Sequence, residues 1–443
     1  MMDVHITCKK LIKPSVPTPI HLQNMRISFI DQHIYPTTVP VIFYYPAANR
    51  NQHHPSETVE RQNRLEKSLS EILSLYYPLA GRYIKEKLIV ICNDEGIDYV
   101  EALVDGQLSQ ILHGKVVEAK ELNQFVPDQV EESATSPFVA IQVSIFKCGG
   151  LAIGLRFSHR IMDAFTLSLF VNGWAKMCKV GINDVITPNF ESGILFPARV
   201  IVSDQQKLQT SSKTRLPKEV VVTRRFVFDA KAISKLKAEA LSSFGLKYCQ
   251  FSVAELMIAW IWRAQISAAR ARYGCLRTSL LSVPMNLRGK TFENIPYNCC
   301  GNLFTLVIGR FPEDHDESKM GLNDMINLVR DTIRNSMEEY AKPMKGEDEF
   351  FSKMMKPGRE IIEEFRKGNG DLRTFTSWRN LGIYEVDFGW GKPGWVSVAE
   401  RPHNGVILMD TKDGGGIEAW VTMNEEEMPY FQHHPDITNF TSS

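Results

Sequence analysis

The sequence predicts an α+β fold in two halves. Strand-like alternation and helical spacing both occur in each half of the 443 residues, without the regular βα succession of a doubly wound sheet. A stretch of fading periodicity with Pro188, Pro197 and Pro217 separates the halves. The expected organisation is an N-terminal domain over 1–185, a crossover over 186–220 and a C-terminal domain over 221–443.

Each element has a local reason. Val39 to Tyr45 reads as a strand, and Leu65, Leu69, Ile72, Leu73 and Tyr76 fall at helical spacing until Pro78 and Gly81 end the pattern. Leu88 to Cys92 is a short apolar strand closed by the turn Asn93 to Gly96. Val139, Ile141, Val143 and Ile145 alternate, Lys147 to Gly150 turn the chain, and Leu151, Ile153, Leu155 and Phe157 return as the second arm of a hairpin. A helix marked by Phe165, Leu169, Phe170 and Trp174 follows.

In the second half, a strand is expected near Thr223 to Phe228. Ser252-Val253-Ala254-Glu255 is a capping box that opens an apolar helix through Ala264. Leu280 to Val283 is a strand that Pro284 is expected to break, and the charged stretch Lys342 to Asp371 reads as a surface excursion. Val406 to Met409 and Ile417 to Val421 flank a Gly-rich turn and form another hairpin.

Composition narrows the partners. Lys+Arg and Asp+Glu are both 51, so no global field favours nucleic acid or an anionic membrane. No run of about 18 apolar residues spans a bilayer, and the N-terminus lacks a signal-peptide core, so the expected location is cytoplasmic. The eight cysteines show no Cys-x-x-Cys spacing, and His53-His54 and His433-His434 lack carboxylates at ligand spacing, so no metal is expected. Nucleotide-binding and Gly-x-Ser-x-Gly motifs are absent. Gly389-Trp390-Gly391-Lys392-Pro393-Gly394 matches Gly-x-Gly-x-x-Gly only literally, because no helix opens there.

The chemistry-bearing residue is His159, in Ser158-His159-Arg160-Ile161-Met162-Asp163. It keeps the parity of the apolar strand residues before it, at the strand's end, and Asp163 follows at a bend. A histidine so placed is a candidate general base. Asp387-Phe388-Gly389-Trp390-Gly391 marks a tight bend packed on aromatic rings, and Asn286-Leu287-Arg288 puts an arginine just past a strand.

These segments, with Tyr77 to Arg82, resemble the plant acyl-CoA-dependent acyltransferases of the BAHD family, which carry His-x-x-x-Asp mid-chain and Asp-Phe-Gly-Trp-Gly near the C-terminus. The text around Thr376-Ser377-Trp378 and Gly416 to Trp420 is similar to the alkaloid acetyltransferase branch. The resemblance implies two domains like chloramphenicol acetyltransferase, each a mixed sheet with helices, with a channel between them. It implies a monomer without bound cofactor that uses acetyl-CoA or another acyl-CoA as co-substrate and a small-molecule alcohol as acceptor. His159 would be the base. Asp163 would brace the bend through an ion pair with Arg288 rather than orient the imidazole. Asp387, Gly389 and Gly391 would be structural, and Trp390 either an oxyanion donor or a packing anchor of the channel wall.

Thr376 and Trp378 would line the acceptor side. Arg379 departs from the family pattern; it can hold a carboxylate of a malonyl donor or acidic acceptor, or be an ordinary salt-bridged surface arginine. Three alternatives bear on function. Malonyl transfer is disfavoured by Tyr297-Asn298-Cys299-Cys300 where that branch has Tyr-Phe-Gly-Asn-Cys. A condensation domain is disfavoured by Ser158 where that group has a second histidine. A catalytically silent metabolite-binding relative is disfavoured by the completeness of both motifs.

Overall fold

The computed structural model describes residues 2–47, 55–113, 118–128, 136–199, 220–244, 251–289, 295–314, 320–343, 346–368 and 370–441. His53-His54, Cys249 and most of the expected crossover lie outside them. The chain forms two compact units. One comprises Met1–Val202, Pro296–Leu303 and Asn380–Glu400; the other comprises Ser203–Ile295, Phe304–Arg379 and Arg401–Ser443. Segments that follow residue 220 therefore contribute to both.

The first unit is built on a six-stranded mixed sheet in the order Asp3–Ile12, Ile97–Asp105, Val139–Phe146, Leu151–Ser158, Thr38–Tyr45, Trp395–Ser397. Only Ile97–Asp105 and Val139–Phe146 run parallel. The hairpin read from alternation is present, with Val139 opposite Phe157 and Ile145 opposite Leu151. Helices Pro55–Leu75 and Ala164–Val180 pack together, and Leu65, Leu69, Ile72 and Leu73 are fully buried, as their spacing requires. The segment around Phe125 covers another part of the sheet so closely that a Cβ on Gly154 would lie 1.9 Å from the Phe125 carbonyl oxygen.

The second unit has its own six-stranded mixed sheet, ordered Phe304–Phe311, Thr278–Asn286, Gly370–Ser377, Gly405–Asp410, Ile417–Asn424, Val221–Phe228. Helix Val253–Tyr273 starts at the expected capping box, with Ser252 Oγ accepting from Glu255 N and Glu255 Oε2 accepting from Ser252 N. Its face carrying Leu256, Trp260, Ile261 and Ala264 joins Leu281, Phe375, Val406 and Val421 in one core. The architecture is thus α+β with a mixed sheet and helices in each unit. Among the described residues, no helix is long and apolar enough to cross a membrane.

One local reading is corrected. Pro284 does not break its strand, which continues to Asn286 opposite Phe304. The parallel neighbour pairs only as far as Ser282, so Pro284 sits where one side of the strand is an edge and no donor is needed there. The Lys342 to Asp371 stretch, read as a surface excursion, holds a 20-residue helix, Glu347–Arg366, with Pro357 inside it, and of that helix only Glu364 is buried. Charged pairs one turn apart, such as Lys353 Nζ to Glu349 Oε1 at 3.2 Å, support that helix along its exposed length.

Candidate active site

Strand Leu151–Ser158 is tied at its end on both sides. Ser158 N donates to Phe138 O at 2.7 Å and His159 N donates to Thr37 O at 2.8 Å. The backbone of the candidate base is therefore fixed by neighbouring chain. Its ring is fixed too. His159 Nδ1 lies 2.9 Å from Asn302 Oδ1, and Asn302 Nδ2 donates to the His159 carbonyl at 2.7 Å.

The orientation of the Asn302 amide is decided by its other partner. Asn302 is fully buried, and its Nδ2 also donates to Asp31 Oδ1 at 2.8 Å, as does its backbone N at 2.9 Å. A backbone carbonyl and a carboxylate oxygen both accept, so the group facing them is the NH₂ and the group facing His159 is the oxygen. An amide oxygen accepts only from an N–H. Nδ1 therefore carries the proton, and Nε2 is the basic nitrogen of the ring.

Asp31 is held in turn by the N-terminus of the short helix Phe29–His33. Its Oδ2 accepts from Ser28 N at 3.0 Å and Ser28 Oγ at 2.7 Å, while Ser28 Oγ caps Asp31 N. Burial raises the Asp31 carboxyl above the usual range; the four donors from Ser28 and Asn302 oppose that shift without cancelling it.

The 296–303 segment reaches this place because several residues of the first unit hold it. Gly301 N and O both bond Thr166 Oγ1, at 3.2 and 3.1 Å. Gly301 has φ +130°, and a Cβ there would lie 2.7 Å from Ser192 Oγ, so no other residue fits. Asp163 joins both features. Its Oδ1 caps helix Ala164–Val180 through Thr166 N at 2.8 Å, and its Oδ2 accepts from Leu303 N at 3.2 Å.

The second motif lies elsewhere in the same unit. Asp387 Oδ1 accepts from Gly389 N and Gly391 N, both at 2.8 Å, and its Oδ2 pairs with Lys179 Nζ at 2.7 Å. Burial opposes ionisation of Asp387; the Lys179 ammonium and the two glycine amides outweigh it and hold the carboxyl below the usual range. Gly389 and Gly391, at φ +106° and +105°, adopt the left-handed backbone this turn needs. The Trp390 ring stacks on Phe388 at 5.7 Å, meets Tyr45 edge-on at 6.4 Å, and receives the Arg61 and Arg64 guanidiniums at 5.7 and 5.5 Å.

Tyr45 is opposite Leu151, whereas Thr38 is opposite Ser158. Seven strand residues, or roughly 23 Å at ~3.3 Å each, thus separate the Trp390 end of this strand pair from the His159 end. Trp390 packs at the other end of this strand pair from His159, and its indole Nε1 is buried without a hydrogen-bond partner.

Arg288, Thr376, Trp378 and Arg379 belong to the second unit. Arg288 is 1% exposed, and its N and Nη1 donate to Asn286 Oδ1 at 3.0 and 3.2 Å. Trp378 is buried, with its N donating to Leu408 O at 2.8 Å, and Thr376 pairs across the sheet with Ile407. Arg379 Nε donates to Asp410 Oδ1 at 2.7 Å, the salt-bridged reading of that residue.

Motif reading missed Asn302, Asp31 and Ser28. Ser28-x-x-Asp31 does carry a visible capping-box signature. Asn302 carries none, since its partners lie 143 and 271 residues away.

The α+β fold, with a mixed sheet and helices in each unit, is that of an acyltransferase. Residues 2–438 match the family model described as the Transferase family, and the chain belongs to this family, the BAHD acyl-CoA-dependent acyltransferases. It is 36% identical to vinorine synthase of Rauvolfia serpentina over 427 residues, covering 95% of this chain and 94% of that one. It is 34% identical to acetyl-CoA-benzylalcohol acetyltransferase of Clarkia breweri, covering both chains fully. It is 33% identical, again over the full length of both, to a malonyltransferase of Salvia splendens named for a pelargonidin glucoside. The crystal structure of vinorine synthase superposes with a TM-score of 0.81 at 32% identity, over 100% of this chain and 99% of that one.

Proposed function

We propose that this acyltransferase moves an acetyl group from acetyl-CoA to a hydroxyl of a plant specialised metabolite, an alkaloid being the favoured class. The observation that carries the mechanism is the Asp31–Asn302–His159 chain, which fixes the proton on Nδ1 and the lone pair on Nε2. The acceptor hydroxyl is too weak an acid to ionise first, so Nε2 takes its proton as the oxygen attacks the thioester carbonyl. The acyl carbon–oxygen bond forms, the carbon–sulfur bond breaks, and the proton on Nε2 passes to the departing CoA sulfur. No cysteine or serine sits in a nucleophile motif of the sequence, so transfer is direct, within a complex holding both substrates.

Acetyl is favoured over malonyl by the Arg379–Asp410 pair. A guanidinium whose charge is already met by a carboxylate at 2.7 Å is a poor site for the free carboxylate of a malonyl group. The Clarkia enzyme, named for an acetyl-CoA reaction, supports the donor; the alkaloid class rests on the similarity of the motif-flanking segments. We further read the protein as a cytoplasmic monomer, with Thr376 and Trp378 on the acceptor side and Asp163 braced by Arg288.

The test is a screen of hydroxylated alkaloids and simple alcohols with acetyl-CoA and malonyl-CoA, read by product mass. Acetyl transfer that survives Arg379→Ala and is lost in folded His159→Ala supports the reading. Malonyl transfer that depends on Arg379 would overturn the donor assignment, and full activity in His159→Ala would overturn the mechanism.

A further inference from the structure

The first unit contains a cavity of about 800 Å³ that the acyl-transfer chemistry does not use. Its lining includes Thr38, Tyr99, Gln142, Arg156 and Ser158. Arg156 is only 7% exposed. Its Nε donates to the Pro127 carbonyl at 2.9 Å, while its Nη1 is buried with no hydrogen-bond partner. A further lining group, Thr38 Oγ1, is also buried and unpartnered.

A guanidinium is charged at every physiological pH, and a buried charge without a counter-charge costs several kcal/mol. Buried polar atoms are nearly always satisfied, so an unmatched one beside an open cavity points to a ligand. The acidic groups that line the same cavity do not fill the role. Asp128 is exposed, and no ion pair within 4.0 Å joins it to Arg156 among the described residues. Asp98 stands across the sheet on the far side of Ala140, two strand spacings or roughly 10 Å from Arg156. Burial pulls the Arg156 pKa down and Asp128 only partly offsets it, the pattern of an under-compensated cation.

We propose that this cavity is a binding subsite for a small organic carboxylate, whose two oxygens meet the Arg156 guanidinium while Thr38 Oγ1 completes the hydrogen bonding. The planar fork of arginine matches a carboxylate with two parallel N–H···O bonds. The carboxylate belongs either to the acyl acceptor or to a separate acid. The cavity's Thr38–Ser158 end adjoins His159 in sequence and through the Thr37 carbonyl, which places it near the base.

The probe is benzoate, with benzamide as its neutral isostere and sodium chloride at equal ionic strength as the salt control. Benzoate is expected to raise the Tm of the full-length protein saturably, and benzamide and chloride are not. Arg156→Met should abolish the benzoate shift. Arg156→Lys, which keeps the charge in a near-native core but loses the fork, should raise the Kd for benzoate about tenfold, one charge-assisted hydrogen bond's worth. Equal stabilisation by benzamide or chloride, no shift in wild type, or an unchanged shift in both variants overturns the proposal. Turnover of a neutral alcohol with acetyl-CoA in saturating benzoate tells the sources apart: inhibition competitive with the alcohol assigns the subsite to the acceptor, and unchanged turnover assigns it to a separate acid. The thermal measurement does not depend on acyl transfer, so it stands or falls separately from the proposed reaction.

Discussion

One ring nitrogen of His159 is committed to Asn302, and that commitment has a measurable cost of removal. His159→Ala should lower kcat about 10²–10⁴-fold, the usual contribution of a positioned base. Asn302→Ala leaves the base but frees its tautomer, so kcat should fall about tenfold, the worth of one hydrogen bond, with KM little changed. A KM effect without a kcat effect, in steady-state assays, would assign Asn302 to substrate binding instead. Asp31 gives a prediction in pH. Its folded carboxyl keeps its proton to higher pH than the unfolded one, because it is buried. The neutral form therefore favours folding, with a contribution that is complete below the ordinary carboxylate value of about 4 and lost as pH rises through the raised folded value. The urea midpoint of wild type relative to Asp31→Asn should thus decline on going from about pH 4 toward neutrality, and a difference that grows over that range would contradict it. At this scale His159 was legible, because strand parity and motif spacing are local. Asn302 was not, because it acquires meaning only when 296–303 is folded back beside residues 31 and 159.

At the scale of elements, Asp163 serves as a helix cap and a clamp on Leu303 N. Both tasks need only an acceptor oxygen. Asp163→Ala should cost about 1–2 kcal/mol for the cap alone, while Asp163→Asn should retain most of that stability in denaturant titrations. If the pair with Arg288 dominates, the two variants should be equally damaging, by about 3–5 kcal/mol for a broken buried ion pair; the comparison separates the roles. Gly154 offers a second test. Any Cβ there meets the Phe125 carbonyl at 1.9 Å, so Gly154→Ala should destabilise by about 1–3 kcal/mol, as overpacking does. Elements with clean periodicity, such as the 139–158 hairpin and the capped helix at Ser252, were readable before folding. Strand Asp3–Ile12 was not, since its edge position leaves it mostly exposed and its Lys9-Lys10 pair masks the alternation. Helix Glu347–Arg366 was hidden by Pro357-Gly358, a dipeptide that marks a turn in most settings.

At the scale of the molecule, the first unit is incomplete when built from the N-terminal half alone. Its sheet ends on Trp395–Ser397, which pairs with Ile42 to Tyr44, and the ring of its candidate base, His159, is held by Asn302. Both come from beyond residue 220, a division that the faded periodicity of 186–220 could not reveal. Removing the later segments would turn Thr38–Tyr45 into an edge strand, and seven of its eight residues are buried. A long apolar edge with unpaired N–H and C=O groups is a template for association. Tyr44 would also lose the stacked Trp395 ring at 5.1 Å and the Ser397 hydroxyl at 3.2 Å from its own. A fragment ending at Arg199 should therefore aggregate or lack a cooperative thermal transition, while the full chain unfolds cooperatively. A milder change isolates the strand. Ser397→Pro removes the N–H of the residue opposite Ile42, which faces the neighbouring strand because the Val396 N–H donates away from it to the Tyr384 hydroxyl at 3.3 Å, and costs about 3 kcal/mol or more where a ladder bond is lost. The variant should show raised light scattering on heating and faster amide exchange along 38–45. A monodisperse fragment with a sharp melting transition would show instead that the sheet closes without its sixth strand.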